Sequence, residues 1–157
     1  MSFLRFLMLL ALVVWLGALV FFAFVVAPTL FTTLPSRHQA GEVVGRSLAA
    51  LHWMGLVAGV LFALCSMILS RLTHGAAQPF ASRHILVYLM LALTLALQFG
   101  IMPRMAALSA QMGPLDQVAP SDARRLQFDQ LHQWSTRLEG GVLLLGVAVL
   151  YSMARRT

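Results

Sequence analysis

The chain has 157 residues, is 60% hydrophobic and carries charge on only 10% of its positions, with a formal net charge of +6. Soluble domains carry about 25% charged residues, so the composition excludes an ordinary water-soluble domain. The basic excess does not point to nucleic acid either: all 11 basic residues are arginine, and they are scattered through loops and helix ends.

Four apolar runs stand out, at residues 6–31, 48–69, 85–101 and 138–153. A membrane-crossing helix needs about 20 mostly apolar residues. The first two runs meet this length alone, the third barely, and the fourth by recruiting polar residues before it. The expected fold is all-α, an integral membrane four-helix bundle. One transmembrane domain over residues 1–157 is expected, with helices near 3–33, 36–72, 82–102 and 121–154.

The first run is too long for the 7–15-residue core of a signal peptide and reads as a helix. Pro28 falls near its end, where a kink is expected. Pro35 separates it from the second helix, which Ser36 and Gln39 open as a capping box. Along that helix Gly41, Gly45, Ala49, His52, Gly55, Gly59, Ala63, Ser66 and Ser70 recur at three- and four-residue steps. Small residues at this period let helix backbones approach closely in lipid. His52 interrupts the stripe, and so points into the bundle. Glu42 and Arg46 stand beside it, one turn apart, spaced to pair. Cys65 is the single cysteine and reads as a packing residue.

The connection "THGAAQPFAS" reads as a short turn, and His74 and His84 in this loop region are expected to be solvated. The third helix is expected to leave the membrane at Pro103-Arg104, with Gln98 near that end. Met102, Met105 and Met112 follow there and could favour Cu(I), against the commoner role of methionine as a gap filler. A longer connection, "QMGPLDQVAPSD", leads to a fourth helix expected to begin at Pro120-Ser121. Its polar first half carries Asp129, His132, Thr136 and Glu139 at helical spacing, with Leu143 continuing the face, and Arg137 beside it. Trp53 and Trp134 fit an interfacial belt.

Helices two and four run in the same direction, so their polar ends lie at one level. This places Glu42, Arg46, His52, Gln98, Arg104, His132, Arg137 and Glu139 around a pocket in the outer leaflet, as candidate ligand-binding residues. Glu139 lies inside the membrane boundary and must be protonated or paired with another helix. Arg46, Arg104 and Arg137 would attract anionic groups. His52 and His132 on facing helices could hold a metal or a haem iron. No nucleophile–base pair is legible, so no enzyme is expected. Two readings stay open. One is a site that binds or moves a small solute or ion. The other is a structural or interaction protein whose polar cluster locks the bundle or a partner.

Arg5, Arg71, Arg83, Arg155 and Arg156 share one end with no acids. The basic residues nearly balance between the two ends, and both termini are assigned to the cytoplasm. The small-residue stripe is as compatible with a homo-oligomer or membrane partner as with internal packing.

The segments "WLGALVFFAFVVAPTLFTTLP", "AGEVVGR", Pro103-Arg104 and "FDQLHQWSTRLEGG" resemble the transmembrane protein 205-like family, whose bacterial members were long grouped as a domain of unknown function. The resemblance covers almost the whole chain. Its most specific parts are Leu30-Phe31 through Leu34-Pro35 with Gly41, and Phe128, His132 and Ser135. It implies a four-helix membrane protein, placed in a bacterial inner membrane, without an agreed activity. Many members carry Leu-Phe-Pro where this chain has Ser47-Leu48-Ala49. The segment "WLGALVF" is also similar to copper-resistance D-like membrane proteins.

Overall fold

The computed structural model describes residues 1–75 and 82–155, without the side chains of His74, Ser82, Arg83 and Asp116. Most of the expected turn between the second and third helices, the topology signal Arg156 and the side chain of Arg83 lie outside what is described. The described residues form helices and no strand. Four helices are long and apolar enough to cross a membrane, and the chain is an all-α four-helix bundle of integral membrane type.

Helix α1 runs over Ser2–Thr33 and α2 over Arg37–His74. Helix α3 is built from Ser82–Leu95, Ala96–Ile101 and Met102–Met112 in succession. Helix α4 covers Ala123–Ala154. Helix α1 packs against α2 and α4, and α3 packs against the same two from the other side. Helices α2 and α4 therefore face each other across a diagonal rather than packing along their lengths.

Neither Pro28 nor Pro103 breaks its helix. Proline lacks an N–H and its ring collides with the carbonyl four residues earlier. Here the turn before each proline widens. The Ala27 N–H donates to the Phe22 carbonyl, and the Met102 N–H to the Leu97 carbonyl, five residues back in each case. Pro28 and Pro103 then sit in the first turn of the helix that resumes, where no N–H is needed. Helix α3 thus continues to Met112, well past the exit expected at Pro103. Helix α2 is unbroken through Ser47-Leu48-Ala49.

The other helix ends follow local chemistry. Ser36 Oγ accepts from the Gln39 N–H at 3.1 Å, the capping contact expected there. Gly75 closes α2 with φ +72°, a left-handed conformation that glycine adopts without penalty. Asp122, rather than Pro120-Ser121, caps α4, accepting from the Arg124 N–H at 2.8 Å. Arg124 also donates to the Gln111 carbonyl at the end of α3, fastening α4 to its predecessor.

Helix α2 is the hub: its apolar window is 56% buried, against 17–28% for the other three. The small-residue stripe explains why. A side chain at Gly55 would meet the Trp15 ring at 2.3 Å, and one at Gly59 would meet Leu91 at 2.6 Å. The stripe is buried from His52 to Ser70, while Gly41 is exposed. It is thus used inside the bundle, seating α1 on one side and α3 on the other.

Helix α2 has 38 residues, about 57 Å at 1.5 Å per residue, against a hydrocarbon core of about 30 Å. It overshoots at one end. Together with the start of α4 and the end of α3, it forms a polar helical crown on the side away from the termini. Trp134 and Tyr151 are both exposed on α4 and mark the two interfaces, about 26 Å apart by helical rise. Trp53 lies at the crown-side interface on α2.

Candidate functional site

The polar centre of the bundle is His52, 1% exposed although it lies within an apolar helix. Its ring is held from two sides. Nδ1 donates to Gln98 Oε1 of α3 at 2.9 Å. Nε2 is hydrogen-bonded to Glu139 Oε1 of α4. Gln98 falls inside the widened turn of α3, and such turns inside α-helices occur frequently at functional sites.

The chemistry of the triad follows from its donor set. With Nδ1 committed as a donor, Nε2 and Oε1 hold one hydrogen between them. The pair is either imidazole with carboxylic acid or imidazolium with carboxylate, and it is net neutral in both forms. That neutrality makes an ionisable pair tolerable where an isolated charge is costly. Glu139 keeps 18% of its side chain exposed, so the triad is not sealed. Beneath it, towards the termini, Leu12, Trp15, Phe62, Val87 and Met90 close around a gap too small for water. The accessible side is the crown.

Three of the eight expected site residues, His52, Gln98 and Glu139, converge. The other five stand elsewhere. Glu42 is exposed and lies 4.0 Å from His38 rather than pairing with Arg46. Arg46 and Arg104 are exposed, and neither forms an ion pair among the described residues. Arg137 lies over the ring of its own-helix neighbour Trp134 at 5.4 Å.

His132 is exposed while His52 is buried, and both nitrogens of His52 are taken by Gln98 and Glu139, so His52 offers no free nitrogen to share a metal or haem iron with His132. The described residues contain no group of three or more His, Cys, Asp and Glu suited to a metal ion. Met102 lies against Gly45, an ordinary packing position.

The inward face of α4 is rotated from the expected one. It runs through Ser135, Val142, Gly146 and Val149, while Asp129, His132 and Thr136 are exposed. Gly146 lies on that face, where an added side chain would meet Leu16 of α1 at 2.2 Å and Met90 of α3 at 3.1 Å. The close approach of both neighbours at this glycine favours the observed rotation. Glu139 remains at the edge of the inward face and reaches His52 from there.

One buried polar pair was missed by sequence reasoning. His84, expected to be solvated, is fully buried, and its Nε2 is 2.7 Å from Ser66 Oγ. Its ring also stacks on Tyr88. The signal was present in the register. Ser66 lies as far along α2 from His52 as His84 lies back along α3 from Gln98, so one antiparallel alignment makes both pairs.

At the crown, Asp122 is held well below the usual carboxylate range, at about 2, chiefly by the Arg124 side chain and also by the Arg124 backbone N–H.

No curated protein and no solved structure matches the chain. Residues 10–114, from α1 through the end of α3 and so including His52 and Gln98, match the family described as a domain of unknown function (DUF4149), and the chain belongs to that family.

Proposed function

We propose that the protein binds a small ion from the crown side, with the proton as the ion best suited to the triad. The observation that carries this reading is a nearly fully buried imidazole whose two nitrogens are taken by an amide and a carboxylate from two different helices. Intramembrane ionisable groups are costly and serve proton relays and ion paths. The site accepts or releases a proton at Nε2 and Oε1 through the exposed edge of Glu139. The apolar floor below ends the path in this conformation, so net transport requires a second one. The widened turns of α1 and α3 are natural places for it to hinge.

The test is proton flux in liposomes containing the purified chain, under an imposed pH gradient and read by an entrapped dye. Flux lost in Glu139→Gln and in His52→Gln supports the reading. Flux equal to that of the wild type in both variants, or to that of empty liposomes in all, contradicts it.

A structural reading is favoured by one further observation: the triad joins three helices, α2, α3 and α4, through one buried ring. In that case both substitutions unfold the bundle, and no ion-dependent signal accompanies the loss. A non-enzymatic role suits either reading.

We place both termini in the cytoplasm. Arg5, Arg71 and Arg155 stand at the termini side without acidic neighbours, while all five acids of the chain lie towards the crown. A bacterial inner membrane and kinship with transmembrane protein 205-like proteins rest on the quoted motifs.

A further inference from the structure

We propose that the groove between α1 and α2 is a binding site for one anionic phospholipid of the crown-side leaflet, with an acyl chain in the groove and the phosphate at Arg46. The groove is a 420 Å³ recess on the outer surface of the bundle, and its walls include Leu10, Val14, Trp53, Met54, Val57 and Leu61. These side chains are apolar, apart from the indole N–H of Trp53.

The dimensions select the occupant. From Trp53 to Leu61 the groove runs about 12 Å along α2, close to the depth of one leaflet, about half of a 30 Å hydrocarbon core. It starts at the interface, where Trp53 is braced edge-on against Phe99 at 5.8 Å, and it ends near the midplane. A helix from a second copy would need a groove crossing both leaflets. On α1 the same face continues outward through Gly17, where an added side chain would meet nothing within 4 Å.

Charge selects the headgroup. Arg46 precedes Trp53 by two helical turns, which puts it on the same face of α2, about 10 Å closer to the crown. It is exposed and makes no ion pair with the described residues. A phosphate at the interface lies within reach of its side chain, which can bend back along the helix. Arginine matches phosphate geometry with paired N–H donors. The site is separate from the His52 triad, which faces the interior of the bundle.

The test is native mass spectrometry of the full chain in detergent, with phosphatidylglycerol and phosphatidylcholine carrying identical acyl chains. The expected result is one retained phosphatidylglycerol per chain, bound more tightly than phosphatidylcholine. Arg46→Gln is expected to weaken phosphatidylglycerol by about 5-fold and leave phosphatidylcholine unchanged. Val57→Phe and Gly17→Phe, both at exposed positions, are expected to weaken both lipids, with helical content by circular dichroism unchanged. Equal affinity for the two lipids in the wild type, or no change in Arg46→Gln, overturns the headgroup assignment. Undiminished lipid retention in both groove variants overturns the acyl-chain assignment. A dimer of the chain that Val57→Phe dissociates overturns the proposal in favour of a second copy.

Discussion

Glu139 meets the Nε2 of His52 across the diagonal of the bundle, between two helices that do not pack along their lengths. The carboxylate therefore does not reinforce an existing helix seam. It reaches over the core to a ring already oriented by Gln98. Removing Glu139 leaves the Nε2 of a ring that is 1% exposed without its partner.

His52→Ala is expected to destabilise the protein by about 1–3 kcal/mol, the cost of leaving buried polar partners unsatisfied. His52→Gln, which restores one donor and one acceptor, should recover part of that. Reversible unfolding in mixed micelles, compared across the two variants, checks the order. An Ala variant as stable as the wild type would show that the triad contributes nothing to packing.

Gly55→Ala should cost about 1–3 kcal/mol through overpacking, because its new methyl would lie 2.3 Å from the Trp15 ring. Trp15→Leu in the same chain should relieve part of the penalty. A double-mutant cycle measures this coupling, since the two residues share one contact. Simple additivity would mean that α1 does not seat on the stripe as described.

Ser66→Ala should cost about 1 kcal/mol by removing one partner of the buried His84 ring. Slower or unchanged exchange of the amide hydrogens in the first turns of α3 would contradict this, because loss of the anchor should speed their opening.

Asp122 gives a prediction in pH. Its carboxyl titrates at about 2 in the folded chain, against 3.8 as a free group. A depressed carboxylate stabilises the fold fully above the unfolded value and loses that contribution as pH falls towards the folded one. The stability difference between the wild type and Asp122→Ala should thus be constant near neutrality, shrink below about pH 4 and be largely, not wholly, lost by about pH 2. Amide exchange in the first turn of α4 reads it. A difference at pH 2 as large as at neutrality would assign the cap to something other than the carboxylate.

Much of the fold was legible because lipid imposes a length and a composition on each helix. The inward direction of His52 was legible too, since it sits on a stripe of small residues that must face a neighbour. Less legible was anything set by a single close approach. Gly146 lets Leu16 of α1 and Met90 of α3 approach α4 closely, and the polar spacing of Asp129, His132 and Thr136 says nothing about those contacts, because those residues lie where water satisfies them. The arginines were misplaced for a related reason: their long side chains reach water or an aromatic face from almost any position near an interface. The widened turns hid the length of α3, since Pro103 reads as a terminator unless the preceding turn is known to open.

The most direct measurement of the central claim is the nitrogen resonance of His52 in protein labelled at histidine and reconstituted in bilayers, compared with Glu139→Gln. The account predicts that the Nε2 signal shifts in the variant while Nδ1 keeps its hydrogen bond to Gln98. An Nε2 signal identical in both proteins would contradict the shared proton between His52 and Glu139.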